Sequence, residues 1–272
     1  MNGLFPAMSQ DLSFLSGTEL FCGLERSCIN TICARGRIEH VAKEKLIFEQ
    51  GRRAGRAYVL VEGNIRIVQT GYDGGQSIIR FIAPGELFGT VPLFTDHQLP
   101  GDAVTGAPSR ILSWSEEAFL GIIGQCPAIA RNVIQIIGAR LAEAQNRIRE
   151  LATQRSVQRI AHALLRLAGK VGHTAHGGEM INIPVRRRDI AEVSGTTLYT
   201  ASRTLSAWKK AGLLTAHNRH IIILNLPMLR GIAQGADGCS FGVPRGKKIP
   251  KHEVGNPGLS LRKRKGAAAS GV

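Results

Sequence analysis

The sequence is poor in cysteine, in long apolar runs and in acidic residues, and each shortage excludes a class of protein. Five cysteines in 272 residues, an odd number, do not suit the paired framework that staples a small secreted domain, and they read as reduced thiols. No apolar run approaches the ~20 residues that span a bilayer; the longest, such as Ile221 to Leu224, fall far short. No membrane association is therefore expected. The N-terminus lacks a basic stretch followed by an apolar one, so no secretory leader is read and a cytoplasmic location is expected. A phosphate-binding glycine loop, a nucleophile elbow and a paired-histidine zinc motif are all missing, which argues against an enzyme. Asp and Glu number 20 against 35 Lys and Arg, and the resulting net charge of +15 favours polyanionic partners.

What is present is enough for two modest domains, since 43% of the 272 residues are hydrophobic. Residues 1–17 are irregular, and Leu20, Phe21, Leu24, Ile29 and Ile32 then suggest one short helical segment that closes near Gly36. From Arg37 to Trp114, short β-type runs alternate with turn residues: 37–42, 46–48, 58–61, 65–69, 77–82, 103–106 and 110–114. Strands at such spacing build a sandwich or barrel. Glu62-Gly63-Asn64 and Tyr72-Asp73-Gly74-Gly75 supply residues that tolerate a chain reversal.

Ser115, Glu116 and Glu117 mark a helix start, with a hydroxyl as cap and carboxylates at the positive end of the dipole. After Pro127, the residues Ala130, Ile134, Ile137, Leu141, Ala144, Ile148 and Leu151 recur at alternating spacings of four and three, the stripe of a short coiled coil. Arg140, Glu143, Arg147, Arg149 and Glu150 flank it, and the reading is a homodimer seam; a helix packed only on its own domain is the plainer alternative. A second helical pattern follows through Ile160, Ala161, Leu164, Leu165 and Ala168, and the polar stretch His173 to Glu179 reads as a loop. Residues 233–272 turn to Gly, Pro, Lys, Arg and Ala without periodicity and read as a disordered basic tail.

Between these segments, Arg188 to Val193 reads as a short helix, Ser194-Gly195-Thr196 as a turn and Thr197 to Ala211 as a second helix. Leu198, Ala201, Leu205 and Trp208 form its expected inward face. The opposite face presents Tyr199, Ser202, Arg203, Ser206, Lys209 and Lys210, side chains that reach phosphates and base edges. An α-helix is what the major groove of DNA admits. The candidate DNA contacts are Arg188, Thr197, Leu198, Tyr199, Ser202, Arg203 and Lys209, with Arg203 suited to a bidentate contact with guanine. Gly212-Leu213-Leu214 stops the helix, and Ile221 to Leu224 reads as part of a small wing.

Over about residues 18 to 230 the chain resembles the family of the cyclic AMP receptor protein and the fumarate-nitrate regulator. The resemblance is carried by Phe48-Glu49-Gln50-Gly51, Val59 to Gly63, Phe81 to Gly89 and Gly195 to Leu205. It implies an α+β architecture: a β-roll over 18–126, a jelly roll like those that bind cyclic nucleotides; a dimerisation helix over 127–154; and a winged helix-turn-helix over 155–232. It further implies binding to palindromic promoter sites in double-stranded DNA as a homodimer, contact with RNA polymerase, and activation or repression according to where the site lies. The alternative is a sequence-independent basic nucleic-acid-binding protein, which would need neither a roll nor a seam.

The same resemblance places an effector pocket at Phe81, Leu87, Phe88, Gly89, Thr90 and Asp102. Members that bind cyclic nucleotides carry Phe-Gly-Glu, whose Glu holds the ribose, and then an Arg-Ser or Arg-Thr phosphate clamp. Here Thr90 follows Phe88-Gly89, the clamp region reads Leu99-Pro100-Gly101-Asp102-Ala103, and Asp102 is expected to repel a phosphate, so cyclic AMP binding is not expected. Cys22, Cys28 and Cys33 do not match the family's iron-sulfur spacing. On one helix Cys22 and Cys33 would stand about 16 Å apart with Cys28 pointing elsewhere; all three read as buried small hydrophobes and no metal site is expected. The run from Arg188 to Trp208 is similar to nitric-oxide-responsive regulators of denitrification, some of which are thought to use haem. Haem is thus the one cofactor the resemblance admits, with His40 and His97 as candidate axial ligands. Tyr199 replaces a Glu found in most of the family, so the usual operator is not expected.

Overall fold

The computed structural model describes residues 13–53, 55–95, 98–217 and 220–235. Residues 1–12, His97 and the tail from 236 onward, all named above, lie outside the described residues. Short 3₁₀ turns at Ser13–Gly17 and Glu19–Phe21 lead into helix α1 (Arg26–Ala34). The single early helix expected from Leu20 to Ile32 is broken because Gly23 takes a φ of +74°, in the left-handed region that only glycine enters freely.

Eight strands follow: β1 (Arg37–Val41), β2 (Leu46–Phe48), β3 (Arg56–Glu62), β4 (Ile65–Thr70), β5 (Gln76–Ile82), β6 (Leu87–Phe88), β7 (Asp102–Thr105) and β8 (Ser109–Ser115). They form two antiparallel four-stranded sheets in the orders β1-β8-β3-β6 and β2-β7-β4-β5, the expected roll. Seven of the strands are legible in the sequence; β6 is only two residues long and shows no period. Leu60, Ile65, Ile82, Phe88, Ala103 and Ile111 fill one core of the roll. A second core joins Val59, Leu112 and Trp114 to Leu20, Phe21 and the helices that follow. There the buried Trp114 indole donates to the Ile32 carbonyl at 2.9 Å, which satisfies its one polar atom.

Helix α2 (Glu116–Gln125) starts where the sequence marks it, the Ser115 hydroxyl accepting from the Ala118 amide at 3.2 Å. The chain then bends by 113° into α3 (Pro127–Thr153). No single helix among the described residues is long and apolar enough to cross a membrane. Ile129, Val133 and Ile136 bury one face of α3 against the roll.

The C-terminal half comprises α4 (Ser156–Val171), β9 (Gly172–Ala175), β10 (Gly178–Ile181), α5 (Arg187–Ser194), α6 (Leu198–Lys210), β11 (Leu214–His217), β12 (His220–Ile223) and α7 (Leu226–Gln234). Its four strands make one sheet in the order β11-β12-β10-β9. The expected loop at His173–Glu179 is instead a hairpin. His176 and Gly177 take φ values of +52° and +76°, the two-residue reversal whose twist matches the strands it joins. Helix α7 was not anticipated and carries helical structure past Ile232, where the tail was expected to begin. The Asn225 side chain caps it at the Met228 amide, 2.9 Å away. Ile160, Leu164, Ile190, Leu205, Trp208 and Leu229 share one core here, and Ile78 and Phe81 of β5 enter the same core from the roll.

Candidate nucleic-acid interface and adjoining cavity

The turn between α5 and α6 is fixed from three sides. Gly195 adopts a φ of +62°, closing α5 in the left-handed conformation. Thr197 caps α6, its hydroxyl accepting from the Thr200 amide at 3.1 Å. Arg159 of α4 donates to the carbonyls of Ser194 at 3.0 Å and Gly195 at 2.9 Å, so the turn's backbone acceptors are held by a neighbouring helix. At the other end of α5, the Asp189 carboxylate accepts from the Arg186 amide at 2.7 Å and caps the helix.

Helix α6 buries Ala201, Thr204, Leu205 and Trp208. Leu198, expected on that inward face, is 53% exposed, because the buried stripe starts one turn later at Ala201. It stands instead beside Tyr199, which is 72% exposed, and the exposed Thr197 and Lys209. Ser202 and Arg203 are half-buried on the same outer face. Arg187 donates to the Ser202 hydroxyl and at 3.4 Å to its carbonyl, orienting a residue expected to meet DNA. Arg188 is exposed and tied to Glu192 one turn on, at 2.8 Å. Of the seven expected contacts, six stand on α6 and its cap, where Thr197, Leu198, Tyr199 and Lys209 are exposed and Ser202 and Arg203 half-buried; the seventh, Arg188, is exposed on α5. Arg159 and Arg187, which hold the turn and Ser202, were missed, because the carbonyls and the hydroxyl they serve become neighbours only in the fold.

A cavity of about 280 Å³ lies between the roll, α3, α4 and α5. Of the candidate pocket residues, Phe81, Phe88 and Gly89 line it, together with Arg140 and Arg147 of α3 and Leu167 of α4. Three expected lining residues do not. Leu87 packs into the core of the roll, and its carbonyl accepts from Arg140. Thr90 is fully buried, and its hydroxyl has no partner among the described residues. Asp102 turns to the backbone instead, accepting from the Gln50 amide at 2.7 Å, so it does not face a ligand in this cavity. Burial and the nearby Arg80 push the Arg140 guanidinium down to about 10, and burial followed by Arg166 lowers that of Arg147.

Neither candidate haem ligand is placed at this cavity among the described residues. No described His, Cys or Met lines the cavity, and His40 sits on the exposed side of β1. The described cysteines do not converge on a metal either. Cys22 lies ahead of α1 and is exposed, against the expectation that it is buried; Cys33 is buried, which pushes its thiol up to about 11. The Cys28 and Cys126 sulfurs are 3.8 Å apart, a pairing hidden by their separation in sequence. Along α3, Ile134, Leu141 and Ile148 are 70%, 59% and 67% exposed, while Ile137 of the same stripe is half-buried against the roll. Ala144 and Leu151 are exposed as well.

Residues 38–126 match the model of the cyclic nucleotide-binding domain, and residues 158–232 match that of the Crp-like helix-turn-helix domain. The cyclic AMP receptor protein of Thermus thermophilus is 26% identical over 221 residues, 81% of this chain and 99% of that protein. The nitrogen fixation regulation protein FixK of Rhizobium meliloti is 27% identical over 183 residues, 66% of this chain and 79% of that protein. The solved structure of FixK2 from Bradyrhizobium japonicum is alike in fold, with a TM-score of 0.65 at 24% identity, covering 72% of this chain and 96% of that one. A roll of the cyclic nucleotide-binding type, a long helix and a Crp-like helix-turn-helix follow one another in a single chain, and the protein belongs to the Crp/Fnr family of DNA-binding transcription regulators.

Proposed function

We propose that this regulator binds palindromic promoter sites as a homodimer paired along α3, and that a ligand in the cavity sets the spacing of its two recognition helices. The observation that carries the pairing is the row of exposed apolar side chains Ile134, Leu141 and Ile148. A second copy of α3 laid along it would bury that row as a coiled coil. Two copies of α6 would then enter successive major grooves about 34 Å apart. Tyr199, Ser202 and Arg203 face the base edges, while Thr197, Leu198, Arg188 and Lys209 flank them at the backbone. Bound promoters are activated or repressed according to where the site lies relative to RNA polymerase, which the dimer contacts.

Cyclic AMP is not the ligand in this reading. The carboxylate that holds a ribose in nucleotide-binding relatives is replaced by Thr90, which is wholly buried. The acidic residue that does line the cavity, Glu143, stands on α3 and not on the roll.

The test is selection of binding sites from random duplexes, followed by titration of the selected site with the unmodified protein and with Arg203→Ala. A palindrome is expected to emerge, and Arg203→Ala is expected to cost ~1 to 3 kcal/mol on it and to relax discrimination at one base. Uniform weakening on all duplexes would make Arg203 a phosphate contact. Selection that yields no common sequence would overturn the reading in favour of sequence-independent binding.

A further inference from the structure

We propose that the cavity takes a small amphipathic carboxylic acid, its apolar body against the roll and α4 and its carboxylate between Arg140 and Arg147. This inference rests on reading the cavity as the effector site.

The size of the cavity, about 280 Å³, lies just below the range of ligand cavities, which run from roughly 300 Å³ upward, and so suits a small ligand. Its wall is of two kinds only. Phe81, Phe88, Ile79, Leu99 and Leu167 are among its apolar side chains, and the remaining polar ones all carry full charge. No described Ser, Thr, Asn, Gln, Tyr or His lines it. A nucleotide brings ribose hydroxyls and base edges that would lose water and find few partners there, at a cost for each unpaired group. An aliphatic or aryl chain loses nothing comparable.

The charges do not balance. Arg80, Arg140, Arg147, Arg166 and Lys170 face the cavity. Glu86 pairs with Arg80 and lies 3.7 Å from Lys170, Glu143 pairs with Lys170 at 3.3 Å, and Glu150 grips Arg166 with both oxygens at 2.8 and 2.7 Å. Three carboxylates are thus shared among three of the five cations. Arg140 spends its guanidinium on a neutral acceptor, the Leu87 carbonyl, and Arg147 joins no salt bridge among the described residues. Both have their proton affinity lowered by burial and then by a neighbouring Arg, with Glu86, Glu143 and Glu150 offsetting this in part. That is the condition of a half-buried cation short of a counter-ion. Arg140 and Arg147 stand seven residues apart on one face of α3, and between them the small Ala144, which also lines the cavity, leaves room for a carboxylate. Guanidinium groups suit it, since their planar forks match its two oxygens.

Such a ligand would touch the DNA-binding half directly, because Leu167 and Lys170 of α4 and Val193 of α5 belong to the wall. Differential contact with α4 and α5 is what a ligand needs in order to shift their placement.

The experiment is calorimetric titration of the full chain with octanoate, decanoate and 3-phenylpropanoate, each beside the alcohol of the same skeleton, and with cyclic AMP. At least one acid is expected to bind roughly tenfold or more tighter than its alcohol, the worth of one charge-assisted contact. Arg147→Gln, whose side chain joins no salt bridge, is expected to remove that preference, with its melting curve as the check on folding. Leu167→Trp, which fills the apolar part, is expected to abolish binding of acid and alcohol alike. Equal binding of acid and alcohol would overturn the carboxylate assignment while leaving a ligand cavity in place. Tighter binding of cyclic AMP than of every acid would overturn the chemical class. No binding of any probe, together with unchanged DNA affinity in Leu167→Trp, would overturn the effector reading itself.

Discussion

Arg66 of the roll and Asp189 of the helix-turn-helix face each other at 3.5 Å, with side chains only 16% and 7% exposed. Glu44 completes a chain of charges across the same boundary, reaching Arg66 at 2.8 Å and Arg186 at 3.3 Å. Asp189 also caps α5, so one carboxylate serves both the local helix and the docking of the two halves. Arg66→Met should leave that buried carboxylate without its cation and destabilise the chain by about 3 kcal/mol. The melting temperature is then expected to fall by roughly 6 °C or more. A calorimetric shift below about 1 °C would mean that solvent already compensates Asp189.

Gly195 is the second lever. A Cβ built at its φ of +62° would lie 2.6 Å from a terminal methyl of Leu151, near the end of α3. Gly195→Ala should therefore lose about 1 to 2 kcal/mol from the backbone alone, with a further loss from the contact. Adding Leu151→Ala relieves the contact and leaves the backbone cost. A double-mutant cycle separates the two, and full recovery in the double variant would show that the conformation at residue 195 had relaxed.

Leu141 and Ile148 are exposed on α3, so charge at either site should leave each subunit folded. Leu141→Glu combined with Ile148→Glu is expected to give a monomer by light scattering with a native circular dichroism spectrum. Its affinity for a palindrome should drop by roughly 100-fold or more, as two linked half-site contacts become independent. A dimer that survives both substitutions would place the interface elsewhere.

Among the four described cysteines, reaction with iodoacetamide should follow exposure and thiolate content. Cys22 is exposed and is expected to react first; Cys33, buried and with its thiol pushed up to about 11, should react last. Burial and the neighbouring Cys126 sulfur also raise Cys28, which should lag behind Cys22. Peptide mass spectrometry over a time course at pH 8 reads the order, and early labelling of Cys33 would show that α1 opens readily.

The roll was legible because most of its strands are long enough to alternate and its turns contain glycine. The hairpin at β9 and β10 was not, since an exposed edge strand such as His173-Thr174 carries polar residues on both sides and looks like a loop. Helix α7 is nine residues long and fully buries only Leu229 and Ala233, too few to set a period. In the site, the outer face of α6 could be read because one helix supplies it. The cavity could be read only on the roll side, at Phe81, Phe88 and Gly89, since Arg140, Arg147 and Leu167 reach it through tertiary packing. Asp102 misled because its partner is the Gln50 backbone amide, which no side-chain pattern reveals.

Helix α7 closes the C-terminal half on the element that opened it. Leu229 and Ala233 share the core of Ile160 and Leu164, His162 Nε2 of α4 lies 3.1 Å from the Ala233 carbonyl, and Gly235 abuts Gln158 in the first turn of α4. The recognition helix is therefore synthesised before the segment that seals its domain. A chain interrupted before Leu226 would contain every residue expected to meet DNA yet uncover the part of α4 that Leu229 and Ala233 pack against. The order of synthesis therefore differs from the order of packing, with the last described helix lying on the first helix of its domain.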